Sequence, residues 1–167
     1  MDTKDKWQRR KDIVSPVLDK SMCDIIKQQS TTNKSLGLIR PERIDFICGK
    51  ARTKDIEEAK KCYAQIDLLQ KPKQTIEFIP YEFRYKFHCA GNHNCAGHDF
   101  PIIDWEIGQS YRSWLWKYKD ENVLLQKIKQ KWLDQICSAD NDIHFYVGNL
   151  HRFQDTFMVL GAFYPPK

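Results

Sequence analysis

The most informative segment of the chain runs from residue 79 to residue 98 and reads IPYEFRYKFHCAGNHNCAGH. Its first half alternates aromatic residues with charged or polar ones, namely Tyr81, Phe83, Tyr85 and Phe87 with Glu82, Arg84, Lys86 and His88. An alternation with a period of two puts all the aromatic rings on one face of a β-strand. The segment therefore predicts a half-exposed antiparallel strand, with Pro80 marking a bend or an edge position.

Directly after this strand, residues 89–98 concentrate thiols, imidazoles and glycines in a short loop. Cys89, Cys95 and His98 follow the spacing Cys-x5-Cys-x2-His. Zinc prefers such sulfur and nitrogen ligands in a tetrahedral arrangement, and turns that contain glycine let neighbouring side chains converge on one ion. The spacing therefore predicts a zinc knuckle with three local ligands.

The fourth ligand of this knuckle has three candidates. Cys137 ends the second of two helices predicted after the loop and can fold back onto it. His93 lies inside the loop, and His88 is next to a ligand but is expected to point across the strand. We favour Cys137. The alternative to metal binding is a glycine-rich hairpin loop in which the cysteines and histidines are incidental.

A second interpretation assigns some of the same residues to a catalytic metal centre. His98, Asp99, Asp104 and Glu106 lie within nine positions, and imidazole and carboxylate ligands hold Mg²⁺ or Mn²⁺ in nucleases. Asp104 also suits a helix N-cap, and Glu106 would oppose the helix dipole in the first turn. Neither of these structural roles requires catalysis.

The N-terminal part of the chain predicts a mixture of helix and strand. Residues 1–14 are predicted to be a flexible N-terminus, followed by a helix that begins at Ser15. Residues 44–48 alternate as in a short strand. Thr53 is predicted to cap a further helix that runs to about residue 69.

The C-terminal part predicts two helices and two strands. Asp104 and Asp120 each suit the N-cap of a helix. Residues 143–148 and 156–164 predict strands joined by a polar turn, and the second is apolar on both faces, which places it centrally in the sheet. We therefore predict an α+β fold, a mostly antiparallel sheet with packed helices and a zinc-knuckle loop, as one domain over residues 15–167.

Length and composition limit the class of protein. The chain has 167 residues, 41% of them hydrophobic and 29% charged, which is typical of one globular domain. No apolar run approaches the length of about 20 residues that spans a bilayer, and the charged N-terminus lacks the apolar region of a secretory signal. The six cysteines are therefore predicted to be reduced thiols in a cytoplasmic protein without membrane partners.

The formal net charge of +5 favours anionic partners such as nucleic acid. The basic residues predicted to bind nucleic acid lie on the strand before the knuckle and on the helices after it: Arg84, Lys86, Arg112, Lys117, Lys127, Lys129 and Lys131. Trp116 is predicted to be exposed beside these lysines, where it can stack on a base. The alternative is a lysine-rich face that contacts only solvent.

Several runs of the sequence resemble the signature of a family of uncharacterised prokaryotic proteins. The runs are IPYEFRYKFHC at 79–89, CAGHD at 95–99 and DWE at 104–106, with FYVG at 145–148 and LGAFYPPK at 160–167. The resemblance covers residues 35–167 and implies the domain boundary and the knuckle, but no activity. It also implies that longer members carry a further domain before this region.

Together these patterns predict a zinc-stabilised module that binds nucleic acid or takes part in an assembly. One alternative is a metal-dependent nuclease that uses His98, Asp99, Asp104 and Glu106. The other is a protein–protein adaptor that binds no nucleic acid. The sequence does not decide whether the chain is an enzyme, or which nucleic acid or protein it binds.

Overall fold

The computed structural model of the protein describes residues 3–52, 57 and 79–167. The helical elements are α1 (Thr3–Val14), a 3₁₀ turn (Ser15–Val17), α2 (Met22–Thr32), α3 (Trp105–Leu115) and α4 (Glu121–Lys129), followed by a π-helical segment (Gln130–Gln135). The strands are β1 (Leu36–Ile39), β2 (Pro41–Lys50), β3 (Tyr81–Cys89), β4 (His98–Pro101), β5 (His144–Leu150) and β6 (Phe153–Phe163). The predicted α+β class with antiparallel pairing is confirmed.

The described strands form two three-stranded antiparallel sheets. Sheet A has the order β1-β5-β6, and sheet B has the order β2-β3-β4. The aromatic segment forms β3, the central strand of sheet B, and its residues alternate as predicted, with Tyr85 fully buried and Lys86 exposed. Pro80 lies in the bend before this strand, so the proline marks the bend and not an edge position.

The prediction that the last strand is central in its sheet is wrong. β5 is the central strand of sheet A, and β6 is hydrogen-bonded to one neighbouring strand, β5. The other edge of β6 meets the chain that follows β4, where Ile102 forms a parallel bridge with Val159 and the Ile103 amide donates to the Val159 carbonyl at 2.9 Å. This contact buries Val159 and so explains why an edge strand has the composition of a central one.

The hydrophobic core lies between the two sheets. The rings of Tyr85 in sheet B and Phe145 in sheet A stack with their centroids 4.7 Å apart, and Phe87 meets Phe145 edge-on at 5.5 Å. Phe100 of β4 stacks on Phe157 of β6 at 6.3 Å. Because these rings come from both sheets, the aromatic face of β3 joins the two halves of the molecule.

Two aspartates begin the C-terminal helices as predicted. The Asp104 carboxylate accepts a hydrogen bond from the Glu106 amide at 2.8 Å, and the Asp120 carboxylate accepts one from the Asn122 amide at 2.8 Å. Each cap satisfies a backbone amide that has no partner within its own helix. Both helices then turn apolar residues inward, among them the fully buried Leu124 and Ile128 of α4.

The N-terminal part differs from its prediction. Residues 3–14, expected to be flexible, form α1, and Trp7 of this helix contacts the ring of Phe163 at 5.7 Å. The helix predicted from Ser15 stops after one 3₁₀ turn, and α2 begins at Met22, capped by the Ser21 hydroxyl. The helix predicted from Thr53 lies outside the described residues. No helix in the described part of the chain is long and apolar enough to cross a membrane.

Candidate metal centre

Four side chains with metal-binding atoms meet where α2 approaches one end of sheet B. Cys89 is the last residue of β3, Cys95 lies in the loop after it, and His98 is the first residue of β4. Cys23 comes from the first turn of α2. Their ligand atoms, three Sγ and the Nε2 of His98, all lie within 4.8 Å of one another. The described structure thus contains a Cys₃His group that can hold a metal ion.

The distances within this group match a tetrahedral zinc site. With Zn–S bonds of about 2.3 Å and a Zn–N bond of about 2.0 Å, an ideal tetrahedron has S–S edges of about 3.8 Å and S–N edges of about 3.5 Å. The Sγ atoms of Cys23 and Cys89 are 3.8 Å apart. His98 Nε2 lies 3.7 Å from the Sγ of Cys23 and 3.3 Å from those of Cys89 and Cys95. An ion between these atoms would therefore need little rearrangement.

The backbone of the loop brings these ligands together. Two successive turns close it, with the Asn92 amide donating to the Cys89 carbonyl at 3.2 Å and the Cys95 amide donating to the Asn92 carbonyl at 3.1 Å. Gly97 then adopts a φ of +94°, which only glycine adopts without strain. A Cβ atom there would also lie 3.3 Å from Nε2 of His88. Gly97 therefore directs the chain from Cys95 into β4 so that His98 faces the thiols.

The electrostatics of the three thiols differ from one another. Burial raises the pKa of Cys23 to about 12, and hydrogen bonds to the two other thiols add to the shift. Burial likewise raises the pKa of Cys89. For Cys95, burial acts in the same direction, but hydrogen bonds from the backbone amides of Cys89 and Gly97 outweigh it, so the net pKa is lowered. Cys95 is consequently the thiol that ionises most easily.

The imidazole of His98 favours its neutral form. Burial lowers its pKa, and the nearby His88 contributes in the same direction. A neutral imidazole keeps a lone pair available for a metal, whereas a protonated ring has none. His98 presents this lone pair at Nε2 to the three sulfur atoms.

None of the three residues that the sequence offered as a fourth ligand belongs to the Cys₃His group. Cys137 instead donates its thiol hydrogen to the Trp132 carbonyl at 3.3 Å, and the Tyr85 hydroxyl donates to the same oxygen at 2.7 Å. The π-helical segment changes the usual helical pairing around Trp132, and this carbonyl takes side-chain donors. His93 is exposed in the loop, and His88 packs against Gly97. Cys23 thus lies in the fourth position of the group, for which the sequence favoured Cys137.

Sequence reasoning missed Cys23 because it has no ligand spacing, lying 66 residues before Cys89. The one usable signal was that residue 23 is a cysteine, because a zinc knuckle with three local ligands needs a fourth sulfur or nitrogen ligand from elsewhere in the chain. Cys23 falls within the helix predicted to begin at Ser15, and no pattern around it indicated a metal ligand.

The acidic residues of the nuclease interpretation do not converge on His98. Asp99 accepts from Arg84 Nε at 2.7 Å and lies 4.0 Å from the Lys86 ammonium. Asp104 caps α3, and Glu106 follows in the first turn of that helix. Among the described residues, the one group with metal-site geometry is the Cys₃His group.

The predicted nucleic-acid-binding residues fall into two sets. Arg84 and Lys86 lie on β3 and pair with acidic side chains of sheet B. The others lie on or next to the C-terminal helices: Arg112, Lys117, Lys127, Lys129 and Lys131. Lys131 is half-buried and donates to the Ser110 hydroxyl at 3.2 Å, whereas Lys127 and Lys129 are exposed. Trp116, after α3, is 86% exposed.

The fold and the site define an α+β protein with a candidate Cys₃His metal centre. The chain belongs to the family described as a domain of unknown function (DUF8757), whose model matches residues 18–167. This match confirms the resemblance to an uncharacterised family, whereas the prokaryotic origin and the signature pattern stay predictions. No curated protein and no solved structure matches the chain significantly.

Proposed function

We propose that the protein binds one structural zinc ion through Cys23, Cys89, Cys95 and His98, and that the domain it stabilises binds nucleic acid. The observation that carries the proposal is the near-tetrahedral arrangement of these four ligand atoms. Three thiolates and one imidazole form a donor set that suits zinc, while Mg²⁺ and Ca²⁺ prefer oxygen ligands.

The site has the character of a structural centre. Four protein ligands complete the tetrahedron of zinc, whereas catalytic zinc keeps one position for water or substrate. Cys89 and Cys95 are buried in addition. The ion would connect α2 to the β3–β4 hairpin, two parts of the chain that are otherwise joined through the core. Loss of the metal is therefore expected to loosen both parts together.

Support for nucleic acid as the partner comes from charge and from exposed aromatic surface. The net charge is +5, and Lys127 and Lys129 lie exposed on one helix, outside the buried stripe of α4. Lys127 donates to the neutral side chain of Gln130 at 3.0 Å and so keeps its full charge for a phosphate. The exposed Trp116 adds a flat ring on which a base can stack.

Zinc content tests the first half of the proposal. We expect one zinc per chain after purification without chelators, because structural zinc sites bind with about 10–16 kcal/mol at neutral pH. Less than about a tenth of an equivalent would overturn the metal assignment, since a site of that strength keeps its ion through gentle purification. The variant Cys95→Ser should lower the melting temperature of the whole domain, and an unchanged melting temperature would also count against the centre.

Salt-dependent binding tests the second half. Fluorescence anisotropy with labelled single- and double-stranded oligonucleotides should show an affinity that falls as salt rises. The double variant Lys127→Glu/Lys129→Glu should weaken binding and reduce the salt slope by about 1.4 for single strands, from two lost phosphate contacts. Lys131 is left unchanged because of its hydrogen bond to Ser110.

A control with a larger charge change at other positions separates local contacts from net charge. Arg9 on α1, Lys20 in the bend before α2 and Lys50 on β2 are exposed, and their joint replacement by glutamate changes the net charge by more than the double variant does. This control should bind more tightly than the double variant. If the wild-type protein binds no oligonucleotide at low salt, the nucleic-acid proposal fails and the adaptor interpretation takes its place.

A further inference from the structure

A separate polar cavity lies between the C-terminal end of α2 and the β5–β6 hairpin. Its volume is about 270 Å³, and it shares no lining residue with the candidate metal centre. The lining residues are Gln29, Asn33, Ser35, Asn149, His151 and Gln154. None of them carries a carboxylate, an ammonium or a guanidinium group, although charged residues make up 29% of the chain. The cavity is therefore built from amide, hydroxyl and imidazole groups.

Part of this lining is held in place by internal hydrogen bonds. The amide nitrogen of Gln29 donates to the side-chain oxygen of Gln154 at 3.3 Å, and Gln29 is 8% exposed. The Asn149 side chain donates to the Gln154 carbonyl, and the Asn149 backbone amide donates to the Ser35 carbonyl at 3.0 Å. These bonds tie α2, the start of β1 and both strands of the hairpin into one frame.

Other donors and acceptors of the cavity are not used inside the protein. The side chains of Asn33, Ser35 and His151 make no hydrogen bond to another residue in the part of the chain that the structure describes. Polar groups that line a preformed cavity without internal partners are available to a ligand. A suitable ligand has an uncharged portion that enters the cavity, and this portion carries several hydrogen-bond donors and acceptors close together.

A nucleobase meets these requirements. Asparagine and glutamine amides pair with the donor and acceptor edges of bases, most often in a bidentate manner with adenine. The cavity is smaller than the clefts of about 300–1,000 Å³ that enclose drug-sized ligands, so it fits one planar ring system better than a whole nucleotide.

The hairpin tip beside the cavity carries the remaining groups that a nucleotide needs. Arg152 and Phe153 follow His151 directly, and Phe153 is 62% exposed. A guanidinium can contact the phosphate attached to a bound base, and an exposed ring can stack on the next base of a strand.

We infer that this cavity, the amide pocket, binds a single unpaired base of a nucleic acid strand. The inference rests on the proposed function, because it names the part of the strand that the protein would contact. In this arrangement the base enters between α2 and the hairpin, its edge contacts the side-chain amides, and Arg152, the residue after His151, would contact the phosphate. A paired base has its edge occupied by its partner, so the amide pocket favours single strands.

The test uses the zinc-loaded full chain and small probes. Two-dimensional NMR titrations with AMP, GMP, CMP and UMP are compared with ribose 5-phosphate and glucose. We expect at least one nucleotide to shift the amide resonances of the pocket lining more than ribose 5-phosphate does, because the base adds contacts that the sugar phosphate lacks, while glucose leaves them unchanged. Equal shifts with ribose 5-phosphate or glucose would overturn the inference, and so would the absence of shifts with all four nucleotides at millimolar concentration.

The variants are chosen to keep the fold. Asn33 ends α2 with a φ of +57°, a conformation that glycine adopts readily, so Asn33→Gly removes the side chain without backbone strain. Combined with His151→Ala at an exposed position, it should weaken binding of a single-stranded oligonucleotide roughly tenfold, from two lost hydrogen bonds. The matched control is Gln28→Ala, on an exposed position of α2 outside the pocket.

The two proposals fail in different ways in this experiment. If the wild-type protein binds the oligonucleotide and the Asn33→Gly/His151→Ala variant binds it equally well, the amide pocket is excluded as a base site while nucleic-acid binding stands. If the wild-type protein binds no oligonucleotide, the proposed function fails, and the inference that rests on it fails with it. Equal melting temperatures of the variant and the wild type show that the comparison is made between folded proteins.

Discussion

Replacing Cys23 by serine removes the one candidate ligand that comes from outside the knuckle. Its Sγ lies 3.8 Å from that of Cys89 and 3.7 Å from Nε2 of His98. These distances match the edges of a tetrahedral site, so Cys23 is positioned as well as the other three candidate ligands. A structural zinc site has a binding free energy of about 10–16 kcal/mol, and dividing it evenly over four ligands gives about 2.5–4 kcal/mol for each ligand. The Cys23→Ser variant should therefore bind zinc roughly 70- to 900-fold more weakly.

The matched control is Cys137→Ser. In the structure this thiol donates to the Trp132 carbonyl, and a serine hydroxyl can donate to the same oxygen. We expect the control to keep wild-type zinc affinity and to change the free energy of unfolding by no more than about 1 kcal/mol. The pair of variants thus compares the ligand that the structure indicates with the one that the sequence favoured.

Competition with a chromophoric zinc chelator measures the affinities of both variants and of the wild type. Thermal melts with and without EDTA provide a second readout, because EDTA should lower the melting temperature of the wild type and of Cys137→Ser but have little further effect on Cys23→Ser. Wild-type zinc affinity in Cys23→Ser would refute the assignment of Cys23. Loss of zinc from Cys137→Ser would instead show that Cys137, the residue favoured from the sequence, is the fourth ligand.

Three further predictions concern pH, the loop and the nuclease alternative. Zinc affinity should rise by at least about two decades per pH unit near neutrality, because burial raises the pKa of Cys23 to about 12 and also that of Cys89, so zinc displaces a proton from each. Calorimetry in buffers of different ionisation enthalpy would count those protons, and no release would contradict the site. In the metal-free protein the raised pKa of Cys23 has the opposite effect, since stability should fall as pH rises from 9.0 towards about 12. Gly97→Ala should lower the free energy of unfolding by about 1 kcal/mol or more, while Gly49→Ala, with no atom within 4 Å of its Cβ, should change it little in the same urea titration. Asp104→Ala should cost about 1 kcal/mol through the lost cap and Asp104→Asn much less, whereas metal-dependent cleavage abolished by Asp104→Asn would support the nuclease.

Much of the local structure follows from the sequence alone. The alternation of residues 81–87 predicts β3 because the period of a strand is a property of neighbouring residues. The caps at Asp104 and Asp120 are equally local, since each carboxylate bonds an amide two residues away. The clustering of Cys89, Cys95 and His98 could be predicted for the same reason, because a short loop limits how far apart its ends can lie.

Tertiary structure alone decided which cysteine completes the Cys₃His group and where β6 lies in its sheet. Cys23 lies on α2 and Cys137 lies in the turn after the π-helical segment, and no local sequence pattern indicates which of them joins the knuckle. The packing of α2 against the end of sheet B brings Cys23 to the knuckle, while the Trp132 carbonyl in the π-helical segment engages Cys137. The apolar composition of β6 likewise predicts that the strand is buried, but it does not predict which part of the chain buries it. In the structure, the chain that follows β4 covers the outer edge of β6. Contacts between distant residues depend on how whole elements pack, which short-range periodicity does not encode.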